Sequence, residues 1–125
     1  MKSLDEYEET LLTGWEEVYK KGQLTLWIFL ALKDSPKHMA GIKQFINDAT
    51  NGSLVADDQS MYRALRKFND TDMVNFTSEP SESGPDLKVY GLTETGAKVL
   101  DSFVKRNVIE VFFKPEIKHL VERSV

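Results

Sequence analysis

Gln59, Ser60, Tyr62, Arg63, Arg66 and Lys67 fall within one short stretch, DDQSMYRALRKFN, from Asp57 to Asn69. At ~100° per residue, Met61, Ala64, Leu65 and Phe68 share one helix face, and Gln59, Arg63 and Arg66 centre on the opposite one. Ser60, Tyr62 and Lys67 flank them. Arginine can grip a guanine edge with two hydrogen bonds and glutamine can pair with adenine, while serine, tyrosine and lysine can hold phosphates. The same residue types also make an ordinary solvated helix face, because Arg, Lys and Gln are good helix formers. Asp57 and Asp58 open the stretch and suit the positive end of a helix dipole, Asp57 as the N-cap.

Little else in the chain offers chemistry. His38 and His119 are far apart, without cysteine or a His-x-x-x-His spacing, so no metal site is expected. No glycine-rich phosphate loop, nucleophile elbow or Ser/His/Asp arrangement appears, which argues against an enzyme and implies no cofactor. The absence of cysteine fits a reducing cytoplasm. Net charge is −4, so overall charge gives a nucleic-acid partner no support. The charge is unevenly placed: residues 1–21 hold three basic and six acidic groups, residues 97–125 six and four.

The elements that must position Asp57–Asn69 can be read from periodicity. Leu4, Tyr7, Leu11, Trp15 and Val18 make an amphipathic helix over 4–20, stopped at Lys20-Lys21-Gly22. LTLWIFLALK (Leu24–Lys33) is apolar on nearly every side, a short central helix expected to be buried all round, with Trp27 in the core. It is too short to span a membrane, which takes roughly 18 apolar residues. After Asp34-Ser35-Pro36 comes a helix over 38–49 with Met39, Ile42, Phe45 and Ile46 on one face, ended by Asn51-Gly52. Two strands are expected, Met73–Thr77 and Leu87–Leu92, joined by a flexible tip, Ser78–Asp86. Thr93 with Glu94 starts the last long helix, whose apolar positions Val99, Leu100, Phe103 and Val104 continue to Val108 and Phe112. Pro115 interrupts it, and Glu116–Arg123 reads as one further helical piece. Three helices followed by a hairpin is the order of a winged helix-turn-helix, mainly α with a small β-hairpin, in which the third helix enters the DNA major groove.

Three stretches resemble the PadR family of winged-helix transcriptional regulators. GQLTLWIFLALKDSP is similar to its opening motif, SMYRALRKFNDTDMV to its recognition-helix motif through Ser60, Tyr62, Ala64 and Leu65, and LKVYGLTETGAKVL to its wing motif. Lys88, Tyr90, Leu92, Thr93, Gly96 and Leu100 carry the last match. The chain departs from the family at Leu87, where Arg is usual, at Val89, where an aromatic is usual, and at Asp72, where Gly usually ends the turn. Its wing tip, SEPSESGPD, is acidic where relatives often carry basic residues.

The resemblance implies a cytoplasmic homodimer that represses transcription from double-stranded DNA bearing an inverted repeat, with no membrane partner. Together with the helix face read above it gives a DNA-contacting set of Gln59, Ser60, Tyr62, Arg63, Arg66, Lys67 and Lys88, and it implies that a small aromatic effector sometimes releases the DNA, for which Trp15 and Phe103 are the candidates. Residues 22–96 would be the DNA-binding domain. Residues 1–21 and 97–125 would be N- and C-terminal dimerisation helices, through Leu4, Tyr7, Leu11, Val18, Val104, Val108 and Phe112. Two alternatives stay open: Trp15 simply packing in the dimer interface, and a winged-helix protein-interaction module that has lost DNA binding, as the acidic wing suggests.

Overall fold

A computed structural model describes residues 3–124. Met1, Lys2 and Val125, the outermost positions of the 1–21 and 97–125 segments, lie outside the described residues. The chain runs α1 (Glu6–Lys20), α2 (Gln23–Asp34), α3 (Met39–Ala49), α4 (Asp58–Asp70), β1 (Val74–Glu79), β2 (Leu87–Leu92) and α5 (Glu94–Val104). A π-helical turn (Lys105–Ile109), a short α6 (Glu110–Phe112) and α7 (Pro115–Glu122) complete it.

The core lies where α2, α3 and α4 meet under the hairpin. Ile28, Phe29 and Leu32 of α2, Ile42 and Ile46 of α3, and Met61, Leu65 and Phe68 of α4 are buried there with Val74, Tyr90 and Leu100. The Phe29 and Phe68 rings pack with centroids 4.6 Å apart. Asn51 and Gly52 turn the chain through positive φ after α3, as the Asn-Gly pair requires. β1 and β2 pair antiparallel, Val74 opposite Leu92 and Glu79 opposite Leu87. Lys37 adds a bridge on the far side of β2: its N–H donates to the Tyr90 carbonyl at 3.0 Å and the Tyr90 N–H donates back at 2.8 Å. The Lys37 ammonium closes the end of α2, donating to the Ala31 carbonyl at 2.7 Å and to Asp34 Oδ2 at 2.9 Å. That locks the hairpin to the helices, and so fixes β2 relative to α4.

Two local expectations change. β1 begins and ends later than Met73–Thr77, because the ladder is carried by backbone pairing as far as Glu79 and not by the side-chain pattern. The helix Leu24–Lys33 is not buried all round: Leu24, Leu26, Trp27 and Leu30 are half-buried and Thr25 is exposed. Trp27 therefore packs against the core without being enclosed by it. A capping box fixes α1 at its start, with Glu8 N–H donating to Asp5 at 2.8 Å and Asp5 N–H to Glu8 at 2.9 Å, yet α1 has no buried residue.

Asp72 sits at φ 63°, the left-handed region that glycine enters freely and aspartate at a cost. Asp72→Gly is expected to raise stability by roughly 0.5–1 kcal/mol in urea unfolding, without changing the fold.

Candidate nucleic-acid interface

The sequence around α4 determines both its start and its rotation. The Asp57 carboxylate accepts the Ser60 N–H at 2.8 Å and the Ser60 hydroxyl at 3.0 Å. These two hydrogen bonds, the backbone one first, hold its pKa below the usual carboxylate range. Met61, Leu65 and Phe68 pull one face into the core. Gln59, Tyr62, Arg63, Arg66 and Lys67 are thereby left exposed, with Ser60 half-buried beside its cap. Among the described residues, none of Arg63, Arg66 and Lys67 makes an ion pair. Of the two carboxylates at this end that would oppose an incoming phosphate, Asp58 is paired with Lys43 of α3 at 2.6 Å, and Asp57 is exposed and engaged in the cap.

β2 brings Lys88 beside this face. Its ammonium stands 4.7 Å from the centre of the Phe76 ring. Tyr62, Arg66, Asn69, Phe76, Lys88 and Tyr90 line a groove of about 400 Å³ between α4 and the hairpin. On the other side of Tyr62 a second groove, of about 530 Å³, runs between the starts of α3 and α4 and the end of the wing tip, past His38, Lys43, Asp86 and Lys88. Tyr62 is thus a ridge between two clefts, both with a lysine on the wall. The arrangement suits a long anionic ligand lying across it: Arg66 and Lys88 make no ion pair among the described residues, hydroxyl and amide donors lie between them, and the floor is apolar. Sequence reasoning missed Asn69. Its spacing of three from Arg66 places it on the same side, but only the position of β2 turns that side into a groove.

The other candidate residues lie away from this face. Tyr7, Leu11, Trp15 and Val18 are each more than half exposed, Leu4 slightly less so. Phe112 is exposed as well, Val108 is half-buried, and Val104 packs against the chain's own core. Trp15 and Phe103 are not brought together within the chain: Phe103 lines a pocket between α2 and α5 to which Trp15 does not contribute.

A three-helix core with α4 presented beside a β-hairpin defines a winged helix-turn-helix protein. The sequence model of the transcriptional regulator PadR-like family matches residues 28–102. The chain belongs to that family. Its fold is similar to that of a PadR-like transcription factor from Bacteroides fragilis, at 24% identity and a TM-score of 0.61 over 90% of this chain and 99% of that one. A PadR-family regulator from Clostridium difficile is similar at 19% identity and TM-score 0.58, over 80% of this chain and 99% of that one. Bacillus subtilis PadR, solved in complex with operator DNA, is similar at 20% identity and TM-score 0.59 over 65% of this chain and 46% of that one. No curated protein matches the sequence. Among the described residues no helix is long and apolar enough to cross a membrane.

Proposed function

We propose that this chain is a sequence-specific DNA-binding repressor that acts as a homodimer on an inverted repeat, with α4 of each protomer in the major groove. The observation that carries the reading is the outer face of α4: three cations without an ion-pair partner among the described residues, on a helix whose opposite face is fixed in the core. Two copies of α4 would enter successive grooves roughly 34–36 Å apart. Arg63 stands at the centre of the exposed face and is the base reader. Arg63→Ala is expected to cost about 1–3 kcal/mol on the cognate DNA and to relax preference at one position. Anisotropy titration against a set of single-base variants of that DNA checks it; an equal loss on every sequence would make Arg63 a phosphate contact. The acidic wing, with Glu79, Glu82 and Asp86 exposed around its tip, favours the second reading of a protein-interaction module. Absence of any salt-dependent DNA binding would select it.

The dimer rests on surface area. A compact monomer of 14.3 kDa exposes about 6,800 Å², whereas this chain exposes 9491 Å². The excess, roughly 2,700 Å² per chain and so about 5,400 Å² for two, is at the upper end of what obligate dimers cover. It lies on α1 and on the stretch from Phe103 to Val121, where Ile109, Phe112, Phe113 and Leu120 are exposed. Deleting residues 101–125 is expected to leave a monomeric or poorly soluble winged domain in sedimentation. A well-behaved full-length monomer at micromolar concentration would contradict the dimer. An aromatic effector, if it releases the DNA, would meet Trp15 and Phe103 at the boundary between subunits.

A further inference from the structure

The pocket between α2 and α5 has a volume of about 230 Å³ and is lined by Gly22, Thr25, Leu26, Phe29, Val99, Leu100 and Phe103. Among the described residues, the Thr25 hydroxyl is the one polar side-chain group on its wall. A cavity of about 150 Å³ lined by Leu, Ile and Phe takes up benzene, so this one has room for a bicyclic ring with a single hydrogen-bond donor. Val99 and Phe103, at its mouth, are half exposed, leaving apolar surface uncovered where the pocket opens. On the outer side of α5 the same Val99 and Phe103 adjoin Lys98 and Arg106.

The chain carries a group of matching size and chemistry that its own fold leaves in water. Trp15 is 73% exposed, flanked on the α1 stripe by the exposed Leu11 and Val18. The α1 segment is also the acidic end of the molecule, with Asp5, Glu6, Glu8, Glu9, Glu16 and Glu17, whereas Arg106 and Lys98, the latter also 3.5 Å from Glu94, stand on the outer side of Val99 and Phe103. An exposed aromatic ring at the centre of an apolar stripe and edged by carboxylates, matched in size by an apolar pocket with Arg106 beside its mouth, is the pattern of an interface anchor and its socket.

We propose that in the dimer Trp15 of each protomer fills the α2–α5 pocket of the other, its indole N–H directed at the Thr25 hydroxyl. α1 then crosses the partner's α5 with its carboxylates towards Lys98 and Arg106. The contact occurs twice by two-fold symmetry. It rests on the homodimer reading above and assigns the residue that holds the dimer together.

The test uses the full-length chain in sedimentation and in tryptophan fluorescence, with Trp27→Phe leaving Trp15 as the sole reporter and circular dichroism confirming the fold. In the dimer, Trp15 emission is expected to be blue-shifted and shielded from iodide, turning red and quenchable on dilution to monomer. Trp15→Ala, a change at an exposed position that spares the core, is expected to raise the dimer Kd at least about 30-fold. Val99→Arg, which blocks the pocket mouth, should do the same. A dimer in which Trp15 stays open to iodide, or whose Kd is unchanged by Trp15→Ala, overturns the socket while leaving the dimer standing. So would indole entering the pocket of the dimer while Trp15 stays exposed, which would make it a small-molecule site. A monomer at micromolar concentration overturns both.

Discussion

Replacing Arg63 and Arg66 together by alanine is expected to abolish detectable binding to cognate DNA while the protein stays folded. Both side chains lie opposite Met61, Leu65 and Phe68, so their removal touches no buried contact. Neither is engaged in an ion pair among the described residues, so no buried or surface carboxylate is left without its partner. The loss on DNA is large for a reason specific to this chain. Between Val74 and Leu92 the hairpin offers one cation, Lys88, against Glu79, Glu82 and Asp86, so the wing adds little attraction of its own. α4 must then supply most of it. At about 1–3 kcal/mol per arginine contact and four such contacts per dimer, the affinity falls by more than about 10³-fold. Titration by fluorescence anisotropy, with circular dichroism on the same sample, reads both halves of the expectation.

The second large effect is on stability. Gly96→Ala is expected to destabilise the fold by about 3 kcal/mol, and to lower the thermal midpoint by about 10 °C or more. Gly96 lies in the first turn of α5, packed on the α4–β1 turn, and an added Cβ would overlap the Met73 carbonyl oxygen. That atom is backbone, so relief requires α5 to move. Such a shift would strain the anchor at Thr93, whose hydroxyl accepts the Gly96 N–H at 2.9 Å and donates to the Asp72 carbonyl at 2.5 Å. A melting curve within a few degrees of the parent would show that the turn gives way more easily than its backbone geometry implies. The Thr-Glu-Thr-Gly run thus has a physical content: threonine caps the helix and ties it to the preceding turn, and glycine lets the two backbones meet.

The order of elements was legible because each carries a local signal that the tertiary structure does not contradict. Asp57 and Thr93 cap the helices they precede, Asn51 and Gly52 turn at positive φ, and the apolar spacing in α3 and α4 points at the core. The direction in which Arg63 and Arg66 point follows from the same spacing. What could not be read depends on contacts distant in sequence. Lys43 and Asp58 pair across two helices, and Asn69 becomes part of a groove only because β2 lies beside it. The π-helical turn at Lys105–Ile109, where the Asn107 amide donates to the Phe103 carbonyl at 3.0 Å, rotates the apolar stripe without altering its residue types. The burial of α2 could not be read because its apolar composition is the same on every side, and only the packing of the neighbouring elements leaves Leu24, Leu26, Trp27 and Leu30 half-buried.

The most direct test of the DNA-binding account is a titration of the full-length protein against the duplex upstream of its own gene at several salt concentrations. Four cations per protomer face the proposed DNA: Arg63, Arg66, Lys67 and Lys88. A dimer that places most of them on phosphates should show a log–log salt slope of about −4 to −7, with nanomolar affinity at low salt. The Arg63→Ala/Arg66→Ala protein, folded and dimeric, should lose that binding on the same duplex. Binding by the parent that is absent or insensitive to salt, or binding by the double variant as tight as the parent's, would mean that the outer face of α4 is solvated surface and does not hold DNA.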